Sequence, residues 1–498
     1  MCEQRSAEEV DDPFYVVDLG QIVRQHSLWH SELPRVHPYY AVKCNNDPIL
    51  VNLLAKLGAN FDCASKKEIE MVLEMGVSPD RIIFANPCKM SSHIRYAAQT
   101  DVATMTFDNE TELYKVKSLY PQAKLVLRIA VSDPTAQCPL NLKFGAEPTV
   151  ASVGLLKLAR ILELNVIGIS FHVGSGCRDP TAYRIAIGHA RRLTDIGRDM
   201  GHDMTLLDLG GGFPGYDSNT ITFYETADVI NRSLEEFFPD SDDVRVIAEP
   251  GRFYATAAYT LCVNVIAKAE VPASKITGDI KDVEPGYMYY VNDGVYGSFN
   301  CILYDHLTPA GQAINKNPDA EVTWCNMWGP TCDSMDLIMP KARFPVLEIG
   351  DWLRFDNMGA YTVAAYSDFN GFSKPNLHYC IRESDWRVLT NLLYGVEDDA
   401  GCTTLIPMGA IQSGDGVVCG PQKCSVSSSV GAVAAVAASD VEGGGGGLRN
   451  SPSGVWDVSD DGSMTSGSMT PSVVFSDVED VDLVGELELA LQASALVE

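Results

Sequence analysis

Between residues 37 and 250 the sequence repeats one pattern, in which a short apolar run is followed by a helical stretch. The candidate strands are 37–42, 60–63, 82–85, 103–107, 125–129, 166–172, 205–209 and 244–248. Amphipathic segments such as 66–75 and 151–162 lie between them. A doubly wound sheet is the alternative, but eight such units over roughly 210 residues favour closure into a (β/α)8 barrel.

The helical pattern fades after residue 256, and β-like runs replace it at 259–267, 288–292, 322–327, 346–355 and 377–381. We therefore predict a barrel over 17–255 and a second, mainly-β domain of sandwich or barrel-like type over 256–395. Residues 1–16 are candidates to join the β domain.

Composition changes again near residue 396. Beyond Lys423 there is no lysine and Arg449 is the only arginine, while glycine, serine and acidic clusters accumulate. Such a segment buries too little apolar surface to offset its chain entropy, so we predict that 396–498 is a largely disordered acidic tail. The leucines of 481–498 have helical spacing, which would allow that stretch to fold on a partner.

Charge and targeting signals narrow the class of function. Lys plus Arg number 37 and Asp plus Glu 66, a net charge of −29 that repels nucleic acid and anionic lipid. No apolar run reaches the ~18 residues of a membrane span, and the acidic start MCEQRSAEEVDD does not resemble a signal peptide. We expect a cytoplasmic protein with reduced cysteines. Cys419 and Cys424, which have no nearby histidine, are too weak a pattern to predict a metal.

Chemistry is expected at the carboxyl ends of the barrel strands. Lys43 follows an apolar strand, where a lysine is costly unless it is used. It would suit a Schiff base whose amine pKa is lowered by desolvation, although an ordinary ion-paired lysine is the alternative. Polar groups and glycines follow the other strands: Asp62, Ser65, Glu68, Arg128, His172, Ser175, Gly210, Gly211, Gly212, Glu249, Pro250, Gly251 and Arg252.

Three of these features suit one cofactor. The triplet Gly210–Gly212 with Ser175 can form a phosphate cradle, although a tight turn explains three glycines equally well. Glu249 can hold a pyridinium nitrogen protonated, and His172 can stack on a flat ring. Together with Lys43 they point to pyridoxal 5′-phosphate.

A series of motifs carries a family resemblance over about residues 10–390. In chain order they are PFYVVDLG, YAVKCN, FDCASKKEIE, FANPCK, FHVGSGC, LDLGGGFPG, AEPGR, YVNDGVYGSFNCILYDH, WGPTCDSMD and NMGAYT, followed by FNGF. They resemble eukaryotic ornithine decarboxylase, within the alanine-racemase-like barrel class of enzymes that use pyridoxal phosphate. The tail does not share the resemblance.

The resemblance implies roles for individual residues. Lys43 matches the Schiff-base lysine, Glu249 the ring-nitrogen partner, His172 the stacking group and Cys332 a proton donor. Further cofactor contacts would come from Ser175, Gly210, Gly211, Gly212, Pro250, Gly251, Arg252 and Tyr361, supported by Asp62, Glu68 and Arg128. Substrate would be bound by Tyr304, Asp305, Asp333 and Phe369. In this family Cys332 and Asp333 enter the neighbouring subunit's site, which implies a homodimer.

The implied reaction is decarboxylation of L-ornithine to putrescine, the first step of polyamine biosynthesis. A diaminopimelate decarboxylase is one alternative. That enzyme normally has C-E-S-x-D where this chain has Cys332-Asp333-Ser334-Met335-Asp336, so the motif argues against it. Lysine is harder to exclude, since one methylene is worth only ~1–3 kcal/mol. A non-catalytic antizyme inhibitor is the other alternative, but such proteins lose parts of the site that are present here. Antizyme itself is a candidate partner through 91–116.

Overall fold

The computed structural model describes residues 1–131, 143–218, 220–316 and 320–394. The predicted acidic tail, 396–498, lies outside the described residues, and so does the leucine-rich stretch 481–498.

The strands of the described residues are numbered in chain order. They are β1 (Phe14–Asp18), β2 (Val36–Ala41), β3 (Asn60–Cys63), β4 (Ile82–Phe84), β5 (Thr104–Phe107), β6 (Lys124–Ile129), β7 (Asn165–Phe171), β8 (Leu206–Asp208), β9 (Arg245–Ala248), β10 (Tyr259–Pro272), β11 (Pro285–Val291), β12 (Gly311–Ala313), β13 (Val322–Trp328), β14 (Leu337–Pro345), β15 (Trp352–Phe355) and β16 (Asn376–Cys380).

The helices are numbered in the same way. They are α1 (Cys2–Ala7), α2 (Leu19–Glu32), α3 (Pro48–Lys56), α4 (Lys66–Glu74), α5 (Ser91–Gln99), α6 (Glu110–Leu119), α7 (Val150–Ile161), α8 (Thr181–Asp199), α9 (Phe223–Phe237), α10 (Arg252–Ala255), α11 (Ser274–Thr277), α12 (Cys301–Tyr304) and α13 (Glu383–Tyr394). No helix in the described part of the chain is long and apolar enough to cross a membrane.

Strands β2 to β9 form a closed parallel barrel, which confirms the predicted fold. Each strand pairs with the next, and β9 closes the ring on β2. Their apolar runs are buried almost continuously because helices cover the barrel outside. Local signals start those helices: the Ser65 hydroxyl accepts from the Glu68 N–H at the start of α4, and Thr222 with Glu225 forms a capping box at α9.

The second sheet is mainly antiparallel and has the order β12-β15-β10-β11-β13-β14. Strand β1 extends it by pairing antiparallel with β10 and parallel with β16. The amino-terminal segment therefore contributes a strand to the β sheet, and β1 spans residue 17, at which the predicted barrel begins.

The predicted β-run at 346–355 is only partly right. Residues 352–355 form β15, whereas Glu348 to Asp351 make a turn in which Gly350 has a φ of 92°. The neighbouring strand β14 was not predicted, because Pro340 and Pro345 argue against a strand. It lies at the end of the strand order beside β13, the position where a sheet tolerates proline.

A buried carboxylate joins the barrel to the β sheet. Asp47, the N-cap of α3, accepts hydrogen bonds from the hydroxyls of Tyr259 on β10 at 2.6 Å and Tyr379 on β16 at 3.0 Å. Because both phenols are held by one side chain of the barrel, the carboxyl end of β2 is fixed against the β sheet.

Candidate active site

One cavity opens at the carboxyl ends of β2, β7, β8 and β9, with a volume of about 300 Å³ including its opening to solvent. Its lining residues are Ala41, Lys43, His172, Ser175, Gly211, Gly212, Phe213, Glu249, Gly251, Arg252 and Tyr361. Apart from Ala41 and Phe213, all of them were predicted as site residues from the sequence.

Lys43 is presented to this cavity by a short 3-10 turn that follows β2. Its side chain is 37% exposed, and its ammonium is paired with the fully buried carboxylate of Asp62. Burial lowers the pKa of Lys43, but the carboxylates of Asp62 and Glu249 raise it by more, so its pKa lies above the ordinary value. The expectation that desolvation leaves this amine with a lowered pKa is therefore wrong for this structure, in which the lysine is a paired cation.

Two buried carboxyl groups lie together at the cavity, and one of them, Glu249, lines it. Glu249 follows β9, and its carboxyl is hydrogen-bonded to that of Asp208, the last residue of β8. Asp208 also accepts from the Ser170 hydroxyl at 2.8 Å and the Gly210 N–H at 2.9 Å. Burial raises the pKa of Asp208 to about 6. Burial, reinforced by the charges of Asp208 and Asp62, raises the pKa of Glu249 well above its usual range.

Asp208 was missed by the sequence reasoning. The available signal was an acidic residue inside the apolar run 205–209, two positions before the glycine triplet.

His172 presents a neutral ring to the cavity. Its Nδ1 accepts the Gly174 N–H at 3.0 Å. Burial, together with the cations of Arg128, Lys43 and Arg252, lowers the pKa of His172 well below its usual range. An uncharged flat ring of this kind can stack on an aromatic cofactor.

The glycine turn after β8 leaves no room for side chains. A Cβ on Gly212, whose φ is 116°, would lie 2.6 Å from Val173 Cγ2, and one on Gly211 would lie 2.8 Å from His172 Nε2. Backbone N–H groups can therefore approach a ligand directly, as a phosphate cradle requires.

Cationic and hydroxyl groups complete the same wall of the cavity. Arg252 donates from Nε to the Ser175 hydroxyl at 2.8 Å, and its guanidinium lies 4.7 Å from the ring centre of Tyr361. Tyr361 has a φ of 54°, a conformation that costs energy outside glycine and is common at functional sites. These groups and the glycine turn suit a phosphate, while Lys43, His172 and Glu249 suit the rest of pyridoxal phosphate.

Several predicted residues support the cavity without lining it. Arg128 is buried, with its guanidinium 5.3 Å from the ring centre of Phe144, and the Pro250 carbonyl accepts the Ala41 N–H at 3.1 Å. The Glu68 carboxylate accepts the Ala64 N–H at 2.5 Å just beyond β3. Asp305 is buried and paired with Arg252.

The remaining predicted residues lie outside their own chain's cavity. Cys332 is exposed, and its N–H donates to the Asn370 side chain at 3.3 Å. The Tyr296 hydroxyl donates to Asp333, and its ring stacks on Phe369 at 4.4 Å. Tyr304 is 70% exposed. The structure thus separates these groups from Lys43 within one chain.

Comparison with known proteins gives the family. Residues 19–256 match the family model described as "Pyridoxal-dependent decarboxylase, pyridoxal binding domain". The chain is 52% identical over 391 residues to ornithine decarboxylase of Caenorhabditis elegans, covering 78% of this chain and 92% of that protein. The chain belongs to the ornithine decarboxylase family. By this homology it is assigned to the carboxy-lyases that use pyridoxal phosphate as cofactor.

Two further relatives of this chain have other names. Antizyme inhibitor 2 of Xenopus laevis is 50% identical over 393 residues, covering 79% of this chain and 86% of that protein. The crystal structure of the Paramecium bursaria Chlorella virus arginine decarboxylase aligns with a TM-score of 0.70 at 37% identity, covering 75% of this chain and 98% of that one. The relatives of this chain therefore include both decarboxylases and an antizyme inhibitor.

Proposed function

We propose that the protein decarboxylates L-ornithine to putrescine and CO2. The observation that carries this proposal is the single cavity that collects Lys43, the glycine turn, Arg252, His172 and Glu249. A homologue that only bound another protein would have no need to assemble all of these groups around one space.

Each group has a distinct task toward the cofactor. Lys43 would hold it covalently, the backbone N–H groups of Gly211 and Gly212 with Arg252 would bind its phosphate, and His172 would cover its ring. Pyridoxal phosphate supplies an electron sink when CO2 leaves the substrate. Glu249 would support that sink from the ring nitrogen.

The substrate's distal ammonium requires anionic partners in a site of low dielectric. Asp305, buried beside the cavity, would be one, and Asp333 the other. The Tyr296 hydroxyl lowers the pKa of Asp333, which keeps that carboxylate ionised. Two carboxylates would attract the ammonium end of ornithine, whereas they would repel the second carboxylate of a substrate such as diaminopimelate.

We further propose that the active unit is a homodimer. Asp333 and Phe369 contact Tyr296. Together with the exposed Cys332 they form a cluster outside their own chain's cavity. In a dimer with two-fold symmetry, this cluster would complete the partner's site. The Cys332 thiol would then give a proton to the substrate's α-carbon after CO2 departs.

The test is CO2 release by the purified chain loaded with pyridoxal phosphate, using ornithine, lysine and meso-diaminopimelate at equal concentrations. Ornithine should be turned over with the highest kcat/KM. Faster release from lysine would correct the substrate, and no release from any of the three would support a non-catalytic homologue of the antizyme inhibitor kind. A Lys43→Arg chain serves as the blank.

A further inference from the structure

Asp208 has no place in the proposed reaction, yet it contacts the residue proposed to face the ring nitrogen. It is completely buried at the end of β8, and Glu249 follows the adjacent strand β9. The two carboxyl groups are hydrogen-bonded to each other, and Ser170 and Gly210 hold Asp208 in place. Both donors point to Asp208, so its position is fixed independently of any cofactor.

A hydrogen bond between two carboxyl groups requires a proton, because two carboxylates are acceptors only. Two buried negative charges in contact would also repel each other strongly, so such a pair titrates as a unit. The other charged groups that act on this pair are Asp62, Lys43 and Arg128. Ser170 and Gly210 donate to Asp208 and so favour its ionised form, which leaves the proton on Glu249.

We propose that Asp208 is a positioning residue that keeps one proton on Glu249 until the cofactor binds, and that Glu249 then gives this proton to the pyridine nitrogen. This inference rests on the role proposed for Glu249 above. The O–H bond of Glu249 breaks and an N–H bond forms, with no change in electron count. The charge of the three groups is −1 before the transfer and −1 after it, with the Glu249 carboxylate then facing the pyridinium and the Asp208 carboxylate behind it.

The consequence for the reaction is electrostatic. A second carboxylate behind Glu249 adds negative charge near the ring nitrogen, so the nitrogen holds its proton more firmly, and a protonated ring is the better electron sink. Asp208 acts only through Glu249, since it does not line the cavity.

Infrared difference spectroscopy on the wild-type chain tests the proton transfer directly. Apo-protein is mixed with pyridoxal phosphate at a pH where the free ring nitrogen is mostly unprotonated. The C=O band of a single protonated carboxyl should disappear. An analogue with C–H in place of the ring nitrogen cannot accept a proton, so the band should persist. A band that never changes, or that is lost equally with the analogue, would overturn the inference.

Variants show which carboxyl group gives rise to the infrared band. Asp208→Asn keeps the shape, and its amide can donate a hydrogen bond to Glu249, but it removes the charge that retains the proton. The cofactor-induced loss should vanish, and the preference for pyridoxal phosphate over the analogue should fall about tenfold, equivalent to one pKa unit. Asp47→Asn, at a buried carboxyl bonded to two tyrosines, should leave the band change intact. A normal band change in Asp208→Asn would show that the proton comes from elsewhere.

Failure of the inference and failure of the proposed function give different results. If the chain releases CO2 from ornithine but shows no carboxyl band change, the proposed function stands and only the role proposed for Asp208 is wrong. A chain that shows the band change but turns over no amino acid binds the cofactor as inferred and is not a decarboxylase.

Discussion

The guanidinium of Arg252 and the carboxylate of Asp305 form a buried ion pair at the cavity, with side chains 12% and 4% exposed. Arg252 begins the short helix after the barrel, whereas Asp305 follows α12 in the β region. The residue proposed to hold the substrate's ammonium is therefore already bonded to one proposed to hold the phosphate. Cofactor and substrate binding should consequently be linked through this pair.

Substitution of Asp305 tests that link. Asp305→Asn should raise KM for ornithine roughly 10- to 100-fold, the loss expected for a hydrogen bond to a charged group of about 1.5–3 kcal/mol. Cofactor affinity should change as well, because Arg252 loses its counter-charge. Asp305→Glu, which keeps the charge, should recover part of both. Unchanged KM in the Asn variant would remove Asp305 from the substrate site.

Lys43 is expected to be the covalent attachment point. Both Lys43→Ala and Lys43→Arg should lose the visible absorbance of lysine-bound cofactor and nearly all CO2 release, because neither side chain has a primary amine. Lys43→Arg keeps a cation beside buried Asp62 and should melt closer to wild type than Lys43→Ala. Retained absorbance in either variant would reassign the attachment site.

Removal of the Cys332 thiol should alter the product. Cys332→Ala should keep the cofactor but slow putrescine formation and divert some turnovers to an aldehyde, because protonation at the α-carbon is no longer guided. Amine and aldehyde can be separated and counted by chromatography. Clean putrescine formation at the original rate would mean that another group delivers the proton.

Mixed dimers test whether the site is shared. Lys43→Ala homodimers should form no putrescine and Cys332→Ala homodimers should form it only slowly, but a mixed dimer would contain one site with both lesions and one intact site. Random exchange of equal amounts should return about a quarter of full activity in a two-fold dimer. The assay is putrescine formation after verified subunit exchange, and no recovery would place both residues in the same chain's site.

A buried histidine far from the chemistry should set part of the acid sensitivity. His26 bonds to the Leu57 carbonyl at 2.9 Å and the Tyr254 hydroxyl at 3.1 Å, and burial lowers its pKa to about 4. Because the folded pKa lies below the unfolded value of about 6.5, this contribution is present above pH 6.5 and is lost as the pH falls toward 4. It amounts to about 3 kcal/mol for 2.5 pKa units.

Urea unfolding at a series of pH values checks this prediction. The stability difference between wild type and His26→Gln should move in favour of the variant as the pH falls from 7 to 4. A difference that stays constant with pH would show that His26 does not titrate in this range.

Local sequence determined the barrel and much of the cavity wall. Strand and helix periodicity is a property of neighbouring residues, so the eight units could be recognised without knowing how they pack. Residues at the carboxyl ends of parallel strands are then brought to one rim by the fold itself, which is why Lys43, His172, Gly212 and Glu249 could be grouped in advance. Strand β14 was missed because its prolines contradict the local pattern.

Only the tertiary structure distinguishes residues whose local sequences look alike. Lys43 and Lys89 both follow apolar strands, but Lys89 is fully buried and bonded to Glu112 and the Thr106 carbonyl, whereas Lys43 faces the cavity. The pairing of Asp208 with Glu249 could likewise not be predicted from the sequence. Each pair joins side chains from different elements of the fold, and the desolvation and charge that set their protonation exist only after those elements pack.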